Sequence, residues 1–212
     1  MICFGTGGWR AEIGKDFYIG NIRLIAQALA NSLINDGKQD KPVVVGYDRR
    51  FLSAQAATWV AEVLAANGIS VLFMRRSVPT PLVMYIVKER GLHYGIEITA
   101  SHNPSNYNGV KVIVDEGRDA PIAVTEMLER ETAAAGEPLV LPMDQASALT
   151  PLGSGDMYRI SPCAPSYRSP WTSPTSRRPS TPRPWPAGRA WTGSRPARHS
   201  SSPRGCTACA PC

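Results

Sequence analysis

After Ile160 the chain offers nothing from which a hydrophobic core could be built. Residues 161–212 hold 11 Pro, 10 Ser, 8 Arg and 4 Cys, and not one Leu, Ile, Val, Phe or Met. Any packed fold must therefore come from the first 160 positions, which is ample length for one independent core. The same segment also lacks Lys, Asp, Glu, Asn and Gln. High G+C content alone would not remove Leu, Val, Asp and Glu, because all four have G+C-rich codons. The segment therefore reads as the product of a reading-frame shift near Ile160, expected to be disordered. The other reading is a genuine basic Pro/Ser/Arg segment of the kind that binds polyanions.

This division decides how the charge is read. Residues 1–160 carry 15 Lys+Arg and 17 Asp+Glu, net −2, whereas the tail carries 8 Arg and no acid, net +8; the sum is the +6 of the whole chain. The basic balance belongs to the tail and gives the folded part no specific nucleic-acid partner. Arg177-Arg178 and the scattered Ser-Pro pairs lack the aromatic platform that a sequence reader needs. Cys3 is the one cysteine before Ile160, consistent with a reducing compartment. Cys206-Thr-Ala-Cys-Ala-Pro-Cys212 is a weak imitation of a metal-ligating run or a prenylation box. No signal stretch or membrane-length apolar run occurs, so the expectation is a cytoplasmic protein with no membrane partner.

Within the first 137 residues the apolar pattern alternates between two periods. Ile22, Ile25, Ala26, Leu29 and Leu33 predict an amphipathic helix over 22–34 that ends before Asp36-Gly37. Pro42 to Gly46 reads as a short buried strand, and Ser53 as the N-cap of a helix to about Asn67, with Gly68 as its stop. Ile69 to Phe73 is the next strand, and Thr80-Pro81 opens a helix through about Glu89. Ile96 and Ile98 alternate as a half-buried strand would, and a further strand begins at Val110. A polar turn at Asp115 to Asp119 and a helix over 121–135 follow, closed by Gly136 and Pro138. Strands separated by helices at these intervals imply an α/β fold: a three-layer α/β/α arrangement with a mixed, largely parallel sheet. Functional loops are then expected at the carboxyl ends of strands, where Asp48 and Ser101 stand.

Gly95-Ile-Glu-Ile-Thr-Ala-Ser-His-Asn-Pro104 puts a hydroxyl, an imidazole and an amide together at one strand end. Pro104 disfavours helix at Asn103, and Asn108-Gly109 is a turn signal, so a shaped loop presenting Ser101 is expected. Three readings compete for it. A plain connection would use Ser, His and Asn only to satisfy backbone groups. A serine hydrolase would want glycines around the nucleophile, and Ser101 has Ala100 and His102 instead. The third reading is a serine that carries a phosphoryl group covalently.

Thr99-Ala-Ser-His-Asn-Pro104, continued by Tyr107-Asn-Gly-Val-Lys111, resembles the phosphoserine loop of the α-D-phosphohexomutase family, which includes phosphoglucomutases and phosphomannomutases. Phe4-Gly-Thr-Gly-Gly-Trp-Arg10 taken alone says only that the chain starts with a glycine-rich turn, but it is similar to the F-G-T-x-G-x-R opening of that family. The resemblance implies that Ser101 carries the phosphoryl group with His102 and Lys111 beside it. It also implies that Arg10 reaches the phosphate, a task suited to an always-charged planar fork. Gly46-Tyr-Asp-Arg-Arg50 resembles the family's G-x-D-x-R element, making Asp48 and Arg50 candidates for support of the site or for a structural ion pair.

The expected organisation is a phosphoserine-bearing domain over 1–137, a linker and the start of a truncated second domain over 138–160, and a non-native tail over 161–212. Gly155-Asp-Met-Tyr158 resembles the entry to that second domain, where a D-x-Y motif begins a helix. The resemblance further implies interconversion of hexose 1-phosphate and hexose 6-phosphate, with a sugar phosphate as the partner and hexose 1,6-bisphosphate as activator. Mg²⁺ would be held by an oxygen of phosphorylated Ser101 and by three aspartates of a D-G-D-x-D loop that this sequence lacks. Such a fragment is expected to be inactive alone. The alternative is a non-catalytic α/β phosphate-binding or interaction domain with a basic tail. Limited trypsin digestion tests the division: arginines beyond Ser161 should be cut at the earliest time points while a fragment of about residues 1–137 persists. Survival of the intact chain would count against the frameshift reading.

Overall fold

A computed structural model describes residues 2–5, 7–143, 149–152 and 157–160. The chain divides into two units, Met1–Ser169 and Pro170–Cys212, and everything described belongs to the first. The expectation of a disordered tail over 161–212 lies outside the described residues.

Eight strands form one mixed sheet among the described residues: β1 (Gly8–Glu12), β2 (Val43–Tyr47), β3 (Val71–Met74), β4 (Tyr94–Ile98), β5 (Tyr107–Val114), β6 (Arg118–Asp119), β7 (Leu149–Leu152) and β8 (Met157–Ile160). Their order is β1-β5-β4-β2-β3-β8-β7, with the short β6 on β5. The centre is parallel, β2 lying between β4 and β3. Both flanks are antiparallel. The helices are α1 (Ile19–Asn35), α2 (Ser53–Ala66), α3 (Thr80–Glu89) and α4 (Ile122–Ala134).

The period of two along each strand sorts the core into two faces. Val43 and Val45 join Ile96, Ile98, Val110 and Val112 beneath α1, α2 and α4. Val44, between them, joins Leu72, Met74 and Ile113 beneath Val83, Ile86 and Val87 of α3. The result is the expected three-layer α/β/α arrangement. Because helices cover both faces, β4 is buried along its whole length. The half-buried reading of its Ile-Glu-Ile alternation is therefore corrected: Glu97 points into a layer, not into water.

Other differences from the sequence expectations have local causes. The glycine-rich start is strand β1, paired with β5 from Gly8↔Lys111 to Glu12↔Tyr107. Asn108-Gly109, read as a turn, lies inside β5. Glycine is needed there because β1 passes so close that a Cβ on Gly109 would strike the Trp9 carbonyl oxygen. Asn108 is fully buried and uses its side chain on its surroundings: Nδ2 donates to Phe51 O at 3.0 Å and to Ser53 Oγ at 2.8 Å, and Oδ1 accepts from Gly109 N at 2.8 Å. Ser53 is the first helical residue and not the cap; Leu52 holds the cap position in left-handed backbone, φ 65°. Asp115 to Asp119 becomes a 3-10 turn followed by β6.

The segment beginning at Met157 adds to the sheet as β8 beside β3, where the D-x-Y resemblance implied a helix. Ile160 fills the α1/α2 face and Met157 packs against the α3 face, so alternation on the otherwise open β3 edge satisfies both. Earlier in the same segment, Leu139 N donates to Gln27 Oε1 and Leu141 N to Glu62 O, holding it on α1 and α2.

Gly109→Ala should separate β1 from β5 and lower stability by about 2–4 kcal/mol. Urea denaturation followed by far-UV dichroism checks this, and a change within about 0.5 kcal/mol would contradict the close-approach account.

Candidate active site

Ser101 stands three residues past the carboxyl end of β4, and Asp48 one residue past that of the neighbouring parallel strand β2. Ligands of open α/β sheets collect at such a rim. Ser101 is exposed and holds left-handed backbone, φ 55°, which a non-glycine residue adopts only when its surroundings enforce it. Two interactions do so. Thr99 Oγ1 accepts from Ser101 N at 3.0 Å. Arg50 turns its guanidinium into the loop, Nη2 donating to Ser101 O (2.8 Å) and Asn103 O (2.7 Å), and Nη1 to Pro104 O (2.7 Å) and Tyr107 O (3.1 Å).

Arg50 is itself fixed by Asp48, whose Oδ2 lies 3.3 Å from its Nε. Asp48 Oδ1 accepts from Arg50 N at 2.9 Å and from Ser53 Oγ at 2.7 Å. The two open readings of this pair therefore merge: it is an ion pair, and that pair shapes the serine loop through its backbone. The resemblance named both residues but not the contacts, because an arginine's reach to carbonyls 51 to 57 residues away leaves no local pattern.

Ser101 Oγ and His102 Nδ1 are 3.5 Å apart, the outer limit of a hydrogen bond. Lys111 lies on β5 in register with Glu97 of β4 and Gly8 of β1, so all three share the α3 face of the sheet. Its ammonium pairs with Asp119 Oδ1 at 2.9 Å, and its side chain is only 16 % exposed. Arg10 pairs with Gly109 one row nearer the rim, and its Cγ runs over the space that Gly109 leaves open. Thr99 N donates to Gly109 O on the other side. Arg10 and Lys111 thus lie on the α3 face of the sheet, and the Ser101 loop leaves the carboxyl end of β4, the strand beside β5. Arg10 Nη1 also donates to Gly8 O at 3.4 Å.

Two functional-looking groups escaped the sequence reading. Asp119, read as part of a turn, is the partner of Lys111. Glu97 is fully buried in the row beside Lys111. A carboxylate flanked by isoleucines in a strand buried on both faces was the available signal. As for magnesium, no group of three or more His, Cys, Asp or Glu side chains able to hold a metal occurs among the described residues. Ser101 alone does not make a site, so these residues do not fit Mg²⁺ by themselves, and no step is routed through it.

Residues 1–138 match the family model of phosphoglucomutase/phosphomannomutase, alpha/beta/alpha domain I. The chain belongs to the phosphoglucomutase/phosphomannomutase family. A phosphoglucomutase of Staphylococcus saprophyticus is 38% identical over 120 residues, covering 55% of this chain and 22% of that one. A Schizosaccharomyces pombe chain described as a probable phosphoribomutase is 40% identical over 121 residues, covering 55% and 21%. A solved phosphoglucomutase/phosphomannomutase family protein of Burkholderia thailandensis superposes with a TM-score of 0.57 at 26% identity, covering 67% of this chain and 32% of that one. The chain spans about a fifth of the length of these curated relatives. Among its described residues no helix is long and apolar enough to cross a membrane.

Arg50→Ala should free the loop of this phosphoglucomutase/phosphomannomutase domain. Amide exchange at Asn103 and Tyr107 would rise at least ~10-fold and stability would fall by about 1–3 kcal/mol. Arg50→Lys should recover little of either, since a lysine cannot serve four carbonyls from one plane. Unchanged exchange by NMR in Arg50→Ala would show that the loop holds its shape without the guanidinium.

Proposed function

We propose that this chain carries the phosphoryl-bearing part of a phosphohexomutase, the enzyme class that interconverts hexose 1-phosphate and hexose 6-phosphate through a phosphoserine and a bisphosphate. The observation that supports it most is the presentation of Ser101, an exposed hydroxyl at the tip of a loop whose carbonyls are drawn back onto Arg50. With those acceptors turned away, an incoming phosphate meets the hydroxyl and the charges of Arg10 and Lys111 rather than a ring of carbonyl oxygens.

In this reading Ser101 Oγ attacks phosphorus in line. The Oγ–P bond forms as the bond from phosphorus to the donor sugar oxygen breaks. His102 Nδ1 receives the hydroxyl proton, and the departing sugar oxygen takes up a proton. Arg10 and Lys111 offset the charge on the moving group. The protein's work is mostly placement, which suits residues fixed on strands and a clamped loop.

The whole enzyme's magnesium, its bisphosphate activator and its choice of sugar would reside in segments beyond this domain. The relatives' names span glucose and ribose phosphates, in keeping with sugar choice made elsewhere. A cytoplasmic location fits the free, exposed Cys3. The chain alone is expected to be inactive, because each missing charge partner of the transition state costs ~10²–10³-fold.

Incubation with hexose 1,6-bisphosphate, followed by phosphate mapping with mass spectrometry, should find Ser101 modified and Ser101→Ala bare. A coupled glucose 1-phosphate assay with Mg²⁺ should give no turnover above that control. Phosphate on other serines with Ser101 unmodified would sink the assignment and favour the phosphate-binding or interaction reading. Turnover in this chain that the control lacks would end the fragment reading.

A further inference from the structure

Glu97 is fully buried, and neither of its carboxyl oxygens has a hydrogen-bond partner among the described residues. Such a group is costly unless it is neutral or has a use. Its neighbours are set by register. On β2 it faces Gly46, whose missing side chain makes the room: a Cβ there would strike Glu97 Oε2 and lie 2.6 Å from Val83 Cγ2. On β5 it faces Lys111. From α3 and the loop before it, the contacts at this spot are apolar, Val83 and Val78. The charged groups bearing on it are therefore Asp48 just past β2, itself held by Arg50, and Lys111 on β5, itself held by Asp119 of β6.

Lys111 thus stands between two acids of opposite character. Asp119 is 45% exposed, so its pull is shared with water. Glu97 is dry, and if ionised it would claim the ammonium far more strongly. The geometry points to Glu97 as a positioning residue for phosphoryl transfer at Ser101: its neutral carboxyl leaves Lys111 available to a phosphate on the serine, and its ionised form draws Lys111 back into the sheet. This rests on the phosphoserine reading above.

Burial foremost, then the charge of Asp48, push the Glu97 carboxyl up from its ordinary range to about 8, while Lys111 pulls the other way. The acid is then neutral at pH 7 and ionises as the pH passes 8. A dianion on Ser101 acts in the same direction as Asp48 and keeps Glu97 protonated. The raised value also has a sign for stability. The unfolded carboxyl loses its proton near 4.5 and the folded one near 8, so stability falls as pH rises between those values and is level above them. Glu97→Gln, neutral at every pH, removes that decline.

The test uses the full chain. The initial rate of phosphate uptake by Ser101 from hexose 1,6-bisphosphate, measured between pH 7 and 9, should fall about tenfold in the native chain. Over the same window Glu97→Gln should vary by less than about twofold. A carbon-13 NMR titration of the Glu97 carboxyl gives a readout independent of transfer. Its midpoint should lie near 8 and move upward both in Lys111→Met, which removes the favourable charge, and in Ser101→Asp, which adds an unfavourable one. Native-like decline in Glu97→Gln, or a carboxyl midpoint in the ordinary range, would overturn the inference while leaving the phosphoserine reading intact. Absence of uptake at every pH in native chain and variant alike would overturn the phosphoserine reading, and the positioning role with it. Melting curves at pH 7 guard against a misfolded variant, since Glu97→Gln should melt no lower than the native chain.

Discussion

A guanidinium held among carbonyl oxygens organises this end of the molecule. Three carbonyls of the loop after β4 and that of Tyr107, the first residue of β5, converge on Arg50, an arrangement that would be mutually repulsive without the positive charge at its centre. The charge is balanced in turn by Asp48, which accepts from Ser53, which accepts from Asn108. One connected series of polar contacts therefore runs from β5 through the start of α2 and the end of β2 to the loop that displays Ser101. Its members are half-buried or buried, where hydrogen bonds strengthen one another and an unmade one is costly. The left-handed backbone at Ser101 and at Leu52 marks the two ends where this network overrides local preference.

What could be read from sequence follows from how local its cause is. The first and third helices were legible because Ile22, Ile25, Leu29 and Leu33, and the Thr80-Pro81 start, carry period and punctuation within a few residues. Ser101 was legible because its surrounding composition is unusual. Strand β1 was not: Gly8 is glycine because β5 passes beside it, and proximity to a strand a hundred residues later writes no periodicity into a short segment. Asn108 misled for a related reason. Its pairing with glycine is a turn signal in isolation, yet here the amide is a buried connector and the glycine a clearance for β1. Glu97 was read as a solvent-facing polar partner because alternation cannot distinguish a strand with one covered face from a strand with two.

Charge follows the same topology. The first 160 residues are slightly acidic overall, yet Arg10, Arg50 and Lys111 collect at one end of the sheet. Arg10 and Lys111 come from β1 and β5, the antiparallel flank, whereas Ser101 and Asp48 follow the parallel centre. The antiparallel flank thus contributes cations to a rim that parallel strands alone would leave to backbone dipoles.

The row Gly46–Glu97–Lys111–Gly8 explains how two long charged side chains can lie side by side inside a packed layer. Directly opposed residues on a sheet crowd each other, and here a glycine at each end of the row takes up no space. At Gly46 the vacancy admits the Glu97 carboxyl; at Gly8 the β5 backbone lies so close that a Cβ would sit 2.6 Å from Val110 O. A larger residue at Gly46 would force the Glu97 carboxyl out of the layer, and one at Gly8 would push β1 away from β5. The two glycines therefore serve the row by different clearances, one for a side chain and one for a neighbouring backbone.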